Sequence, residues 1–362
     1  MTVGVAVVAS DTLATLIAEC FVAVGLSSAD GSAMAEVMVD ANLRGVDSHG
    51  FQRLPAYMGR VSAGLAAGGD ALAVRARAGP MQRLDAAHAL GPLGASRATD
   101  AAVELAREHG LGLVALGNSG HFGAAGYYAR RAAREGLIAL VTTNGPATMA
   151  PHGAAEPFVG TSALAIAVPL GRHEPFCLDM SASVVARGKV MRAAAQGTQL
   201  EPGVAIDADG RPTLDPTAAL AGSVLPLGGP KGSGLALAIG LLSGILAGAD
   251  FDDEVAPMHG DSGRRQNAGH VFLTIDPWRL ADRDETSERL EQLVERLRAL
   301  RTAEGFDRVL YAGERSAELA RERRRTGIPV AAGELEAAAR ACERAGATDL
   351  ARRLREPAQG AG

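Results

Sequence analysis

Ser48-His49-Gly50, followed by Arg53 and Tyr57, is the first dense polar group along this chain. An imidazole at a helix entrance is partly exposed and titrates near neutrality, which makes His49 a candidate acid/base. Arg53 stands about one helical turn further on and would project from a similar face. A guanidinium there can grip a carboxylate through two parallel bonds while the imidazole exchanges a proton with the adjacent oxygen. A capping serine with a surface His and Arg has the same spacing, and that arrangement is common. A second acid/base candidate, His121, lies in Asn118-Ser119-Gly120-His121-Phe122-Gly123. This segment follows an apolar strand-like run and precedes a helix, a junction where backbone N–H groups are presented to ligands.

Two further stretches suit ligand contact. Gly228-Gly229-Pro230-Lys231-Gly232-Ser233-Gly234 opens a long apolar helix, so its glycines admit a phosphate and Lys231 adds charge beside the positive helix end. Asp179 follows a buried strand and could orient a histidine, bind a ribose hydroxyl or cap the next segment. Neither the dinucleotide fingerprint GxGxxG nor the Walker order GxxxxGK[ST] is present, and HExxH, EF-hand and GxSxG patterns are missing. His152, His173, His259 and His270 have no ligand spacing, so no structural metal is expected.

The elements that must position these groups fall into three stretches. Helices come first: Ser10-Asp11 caps a run with Leu13, Ile17, Phe21 and Val24 in phase, Ser27 or Ser28 caps another ending near Gly45, and a short one spans Arg53–Val61. From about Leu84 strands alternate with helices. Leu111–Leu116, Leu137–Thr142, Leu164–Pro169, Phe176–Met180 and Val271–Ile275 suit buried strands, with helices over Ala95–Glu108 and Ala124–Glu135. An Asp-Gly turn in the segment from Val204 predicts a hairpin. Helices return over Glu285–Arg301, Ala317–Arg325 and Glu334–Arg355. The layout predicts a helical domain from both termini (1–75 plus 276–362) around an inserted α/β-sheet domain (76–275).

Composition narrows the partners. The chain has 362 residues, 47% hydrophobic, with a net charge of −5, which offers no basic field for nucleic acid or anionic lipid. Its three cysteines, Cys20, Cys177 and Cys342, are far apart and odd in number, which points to a reducing, cytoplasmic setting. No Lys or Arg precedes Arg44, so a secretory signal lacks its basic region. Gly232–Ala249 is uncharged and nearly as long as a membrane span, but it is glycine-rich and stands alone, so a fully buried helix of a soluble core is expected.

Taken together, the segments RGVDSHGFQRLPAYMGRV, GNSGHFGAAGYYA, TTNGPATMAPHG, LDMSASVVARGK, DGRPTLDP, LPLGGPKGSGLAL, NAGHVFLTIDP and YAGER resemble, in order, those of the malate/L-lactate dehydrogenase family unrelated to the usual lactate dehydrogenases. Its relatives include ureidoglycolate, sulfolactate and diketogulonate oxidoreductases and reductases of cyclic imine 2-carboxylates. The resemblance runs from about Asp11 to Pro329. It implies an α+β, non-Rossmann fold with a mixed-sheet cofactor-binding domain inserted in a helical one, a homodimer, and NAD or NADP as cofactor. By the same resemblance His49 and His121 are the acid/base candidates, Ser48 stands beside them and Arg53 faces the substrate carboxylate. The shared segment with Ser48 and Arg53 favours His49. Cofactor contacts are implied for Thr143, Asn144 and Thr161, for Leu178, Asp179, Met180, Ser181, Ala182 and Ser183, and for Lys231, Gly232, Gly313 and Glu314.

Departures from the family pattern are Gly160-Thr161-Ser162-Ala163 for GTNP, Lys231-Gly232-Ser233-Gly234 for KGYG, Gly203-Val204-Ala205 for GWA, and Gly240 where an acidic residue is usual. They change the walls of the site and leave its histidines, so the expected activity is hydride transfer to or from C2 of a small 2-oxo or 2-hydroxy acid. Reduction of a cyclic imine 2-carboxylate is the alternative, and a non-catalytic ligand-binding relative the third reading.

Overall fold

The computed structural model describes residues 4–258 and 263–356. His259 lies outside them. The chain opens with strand β1 (Val5–Val8) and helices α1 (Ser10–Ala23), α2 (Ser28–Leu43) and α3 (Leu54–Ser62). Leu13, Leu16, Ile17, Cys20 and Phe21 line one buried face of α1, and Ser27 starts α2 by accepting the Asp30 N–H at 3.1 Å. Strands β2 (Ala73–Ala78) and β3 (Met81–Asp85) follow, then α4 (Gly91–His109), β4 (Leu111–Ser119), α5 (Ala125–Arg134) and β5 (Ile138–Thr143). The middle continues through β6 (Ala163–Leu170), β7 (His173–Ser181), α6 (Arg187–Gln196), β8 (Ala205–Ile206), α7 (Pro216–Ala221), β9 (Ser223–Val224), α8 (Pro230–Ala247) and β10 (Ala268–Ile275). Helices α9 (Arg283–Arg298) and α10 (Glu314–Thr326), strand β11 (Ile328–Ala331), and helices α11 (Ala332–Arg344) and α12 (Thr348–Arg355) close the chain.

One sheet, ordered β2-β3-β4-β10-β5-β6-β7, organises the middle. Only β3 and β4 pair in parallel; every other ladder is antiparallel, so the sheet is not a Rossmann sheet. Helices α4 and α5 share a core with one face, where Leu116 meets Ala95, Ala98 and Tyr128. The opposite face takes α8. Gly117, next to Leu116 and so turned the other way, lets the backbone in: a Cβ there would sit 2.4 Å from the Ala247 carbonyl oxygen.

A separate core joins the two ends of the chain. It packs α1–α3 against residues of α10–α12, from Val8 to Leu93 on one side and Ala320 to Leu354 on the other. β1 pairs with β11 from Val5↔Ala331 to Val8↔Ile328, a tie that the short N-terminal run did not announce. Helix α9 does not join this core as its place in the C-terminal stretch suggested. Its Val294 packs with Leu170 of β6 and Tyr311.

One local expectation is met in short form and two need correction. The Asp-Gly hairpin is short, with one bridge at Ile206↔Pro212 closed by the Asp207 N–H to the Arg211 carbonyl at 2.8 Å, and β8 also makes a ladder with the distant β9. The single helix expected over Glu334–Arg355 breaks at Gly346, whose φ of +79° ends α11 before α12 begins. Helix α8 is not fully buried. Ala236, Ile239, Gly240, Ser243 and Gly244 face the protein, while Leu237, Leu241, Leu242, Ile245 and Leu246 are exposed. It is also the one described helix apolar and long enough to cross a membrane, with less than half of its length buried.

Candidate active site

The histidine loop is clamped from α2 before it reaches the site. Asn42 donates from Nδ2 to Asp47 Oδ1 at 2.9 Å and accepts the Phe51 N–H at 2.7 Å, and Asp47 pairs with Arg323 at 2.8 Å. Gly50 is pressed against the same amide, since a Cβ would lie 2.2 Å from Asn42 Oδ1. Residues 47–49 and 51–53 then form two tight 3₁₀ turns that run into α3. Ser48 Oγ lies 3.0 Å from His49 Nδ1, and Arg53 Nε donates to the Ser48 carbonyl at 2.7 Å. The three residues expected to act together are therefore held in one rigid loop.

His121 comes to them from the other core, on the turn between β4 and α5. Its ring stacks on His49 with centroids 5.4 Å apart and planes at 22°. Tyr57 Oη, on α3, lies 2.7 Å from His121 Nδ1. Burial pushes the Tyr57 phenol well above its usual value, so it keeps its proton. The turn is held from behind by Gln266, which accepts the His121 N–H at 3.3 Å and donates to the Ala256 carbonyl at 2.9 Å. The expectation that His49 titrates near neutrality is not met. Burial first, and the positive charge of Arg53 second, lower its pKa to about 4. His49 is neutral at pH 7.

The implied cofactor residues gather at one end of the sheet. Register places Ser119 beside Ala268, His270 beside Thr143, Thr143 beside Ala163, and Ala163 beside Ser181. His270 ties this row together, with Nδ1 2.7 Å from Thr143 Oγ1 and Nε2 2.9 Å from Ser119 Oγ and 3.1 Å from the Gly120 carbonyl. The Gly120 carbonyl can only accept, so Nε2 is the nitrogen that donates there, while the Thr143 hydroxyl also has the Asn144 carbonyl as an acceptor at 2.8 Å. Burial lowers the His270 pKa to about 3, and its ring stacks on Phe122 at 4.5 Å.

Thr161, the Leu178–Ser183 segment and the glycine-rich loop form one patch beyond that row. Ala182 donates to the Thr161 carbonyl at 2.7 Å and accepts from Leu227 at 2.8 Å. A Cβ on Gly232 would stand 2.7 Å from the Ala182 oxygen, so only glycine permits this approach. Leu178, Met180 and Ser181 are half-buried on or at the end of β7, with Ser181 and Ser183 hydroxyls 3.0 Å apart. Asp179 accepts the Gly126 N–H at 3.0 Å; it is reachable by solvent but walled by protein, and that enclosure raises its carboxyl. Gly313 rests on Cys177, the residue before Leu178, with a Cβ position 3.1 Å from Cys177 Cβ. Gly188, just past the segment, abuts the histidine loop, its Cβ position 3.1 Å from Ser48 Cβ.

Two implied residues turn inward. Asn144 bonds the Asp250 carbonyl at 2.7 Å and the Gly269 N–H at 2.8 Å, while buried Glu314 pairs with Arg298. Both shape the loops that carry Thr143 and Gly313. The departures at Ser233 and Gly240 also have local accounts. Ser233 Oγ accepts the His152 N–H at 3.0 Å, and buried Asp252 supplies a carboxylate in the space at Gly240, 3.0 Å from where a Cβ would be. Asp252 uses that place to accept the Gly160 N–H at 2.7 Å.

The donor set fits a dinucleotide. Hydroxyls of Thr143, Ser181 and Ser183 and the Asp179 carboxylate suit ribose and amide groups. The first turn of α8 has no side-chain cap and carries exposed Lys231, which suits phosphate. Among the described residues no group of three His, Cys, Asp or Glu side chains is placed to hold a metal. Missed in the sequence were Tyr57 as the partner of His121, and Asn42, Gln266 and His270. Nothing short of the tertiary fold singles these out.

Paired imidazoles, a neighbouring guanidinium and a polar cradle at a sheet end suit a nicotinamide-dependent oxidoreductase, the class to which the similar proteins belong. The model of the malate/L-lactate dehydrogenase family matches residues 8–338, and this chain belongs to that family. It is 39% identical over 309 residues, 85% of this chain and 90% of the relative, to the (2R)-3-sulfolactate dehydrogenase (NADP(+)) of Chromohalobacter salexigens. The structure superposes on the sulfolactate dehydrogenase of Methanocaldococcus jannaschii with a TM-score of 0.87, at 32% identity, covering 94% of this chain and 97% of that one. It superposes on the delta1-piperideine-2-carboxylate reductase of Pseudomonas syringae pathovar tomato with a TM-score of 0.83, at 30% identity, covering 95% and 99%. The cofactor class is NAD or NADP.

Proposed function

We propose that this enzyme moves hydride between the nicotinamide and C2 of a small 2-oxo or 2-hydroxy carboxylate, with His121 as acid/base. The observation that carries the residue assignment is the Tyr57–His121 bond. The Tyr57 hydroxyl has the His121 carbonyl as an acceptor at 3.3 Å and can accept from Nδ1–H, which fixes the ring and leaves Nε2 to exchange the proton: the imidazolium gives it to the oxygen at C2 and is left neutral. His49 is a poor proton carrier at pH 7, because its pKa near 4 leaves it unprotonated and weakly basic. Its stacked ring instead fixes the plane of His121, and Ser48 sets its tilt. The assignment therefore moves from His49 to His121.

Arg53 holds the substrate carboxylate. Its Nε is anchored on the Ser48 carbonyl, which orients the guanidinium plane beside the histidines. Bound cofactor supplies the hydride acceptor or donor. Thr143, Thr161, the Leu178–Ser183 segment, Lys231-Gly232 and Gly313 hold it, while Asn144 and Glu314 support the loops. Oxidation runs the proton transfer in reverse, with His121 Nε2 taking the hydroxyl proton.

The test is consumption of NADH and of NADPH with a panel of 2-oxo acids and of cyclic imine 2-carboxylates. Turnover of the oxo acids supports the reading; turnover of cyclic imines alone replaces it with the second one, which the similarity to the piperideine-2-carboxylate reductase motivates. Absence of cofactor binding by calorimetry removes both and leaves a ligand-binding protein. We further read the chain as a cytoplasmic homodimer, without membrane or nucleic-acid partners, built from a helical unit of both termini and an inserted sheet unit. The exposed aliphatic stripe of α8 supports the dimer, since burying Leu237, Leu241, Leu242 and Ile245 against a second copy removes a large apolar surface from water.

A further inference from the structure

His270 lies on β10, the strand held between β4 and β5. It is fully buried, at a place where a strand ordinarily carries an apolar side chain. Burying an imidazole is costly unless its ring nitrogens are bonded, and here both are. The two nitrogens serve different segments. Nδ1 meets the Thr143 hydroxyl of β5 at 2.7 Å. Nε2 meets the Ser119 hydroxyl at 2.9 Å and the Gly120 carbonyl at 3.1 Å, the two residues that lead into His121.

The Nε2 contacts are built by a local irregularity. The register between β10 and β4 slips between Ala268↔Ser119 and His270↔Leu116, so β4 carries an extra residue over that step. Asn118 lies within it, in the left-handed region at φ +49°. It is held there by Asn267 Oδ1, which accepts its N–H at 2.9 Å, and by Asp85 Oδ1, which accepts from its amide at 3.0 Å. The bulge brings the Ser119 hydroxyl and the Gly120 carbonyl onto one ring nitrogen. Phe122, the residue after His121, stacks flat on the same ring with centroids 4.5 Å apart and planes at 4°. The acid/base residue is therefore flanked on both sides by neighbours that rest on His270. Across the ring, the one Thr143 hydroxyl hydrogen has its acceptors inside the protein, so the Thr143 oxygen meets a bound group as an acceptor.

We propose that His270 is a positioning residue with two separable duties. Through Nδ1 it sets the Thr143 hydroxyl that receives the cofactor, and through Nε2 it sets the Ser119–Gly120 turn that carries His121. One buried ring thus holds cofactor and acid/base in register while touching neither cofactor nor substrate. The inference rests on the proposed function, in which His121 moves the proton and Thr143 contacts the cofactor.

The experiment cuts one link at a time. An asparagine amide reaches as far as Nδ1 and a glutamine amide as far as Nε2, so His270→Asn keeps the Thr143 link and His270→Gln keeps the Ser119–Gly120 link. Two quantities are measured on both variants and the unmodified enzyme: Kd for NADH and NADPH by calorimetry, which needs no turnover, and kcat at saturating cofactor. His270→Asn should lower kcat by about 10-fold or more and leave Kd within about 2-fold. His270→Gln should raise Kd by about 5-fold or more, with a smaller loss in kcat. A histidine that only fills the core predicts the same change in both quantities for both variants. That result overturns the proposal, as does a pair of variants that moves neither quantity or reverses the split. Ser119→Ala keeps the ring and is a smaller change, so it decides the matter where the His270 variants do not fold. It should lower kcat by about 3-fold or more at unchanged Kd, and should add little to His270→Asn, since both cut the same link. An unchanged kcat in Ser119→Ala overturns the coupling. A normal kcat in His121→Ala, with Kd still raised in His270→Gln, would sink the acid/base reading and leave the Thr143 arm standing.

Discussion

Tyr57 Oη and His121 Nδ1 stand 2.7 Å apart, a bond that joins the terminal helical core to the sheet core at the reacting centre. The contact positions His121 rather than touching substrate. Tyr57→Phe should lower kcat by about 10-fold or more with a smaller change in KM, because the ring loses the hydroxyl that holds its Nδ1. It should also displace the limb of the pH–kcat profile that reports His121. A merely structural role would lower the melting temperature and leave the profile in place.

On the proposed reading Arg53 acts on affinity. Arg53→Lys keeps the charge and loses the two-pronged geometry, so KM for the oxo acid should rise about 10-fold or more, equivalent to at least ~1.4 kcal/mol. Initial-rate measurements at saturating cofactor check this, and an unchanged KM removes Arg53 from the carboxylate site.

Fully buried His270 and half-buried His49 predict acid lability. Folding lowers the pKa of His270 to about 3 and that of His49 to about 4 from an ordinary value near 6.5, so the unfolded chain binds more protons in that window. Their stabilising contribution is complete above pH ~6.5 and is lost as pH falls toward those values, by up to about 1.4 kcal/mol per pH unit for each group. Urea midpoints measured from pH 7.5 to 4 should fall more steeply for the unmodified protein than for His270→Gln. Parallel slopes would show that His270 is not buried neutral.

Asp252 and Gly240 share one space. Gly240→Glu places a second carboxylate against a buried one whose pKa burial already raises, and should destabilise the protein by roughly 2–4 kcal/mol. Adding Asp252→Ala should restore part of that loss, since contacting sites couple. Additive losses in thermal unfolding would refute the exchange.

The site residues were legible where chemistry is dense along the chain. Ser48, His49 and Arg53 lie in one loop, while Gly232 and Gly313 make their close approaches to protein, at Ala182 and Cys177. What the chain order hides is anything set by packing across the two cores. The His49 pKa depends on burial that spacing does not reveal, and His270 looks like any strand histidine until β10 inserts between β4 and β5. Likewise, an uncharged helix gives no sign that only one face of α8 meets the sheet, and Asp252 replaces the missing acid at Gly240 from a different segment. The Asp-Gly hairpin was legible, but not that β8 would also pair with the distant β9.

The central claim is that His121, and not His49, transfers the proton. The decisive measurement is the pH dependence of kcat for the unmodified enzyme, His49→Ala and His121→Ala, at saturating cofactor and oxo acid. His121→Ala should lose roughly 10²–10⁴-fold in kcat together with the ionisation that governs the profile, while its cofactor affinity is retained. His49→Ala should cost no more than about 10-fold and keep that ionisation. A near-normal kcat in His121→Ala, or a larger loss in His49→Ala, contradicts the assignment.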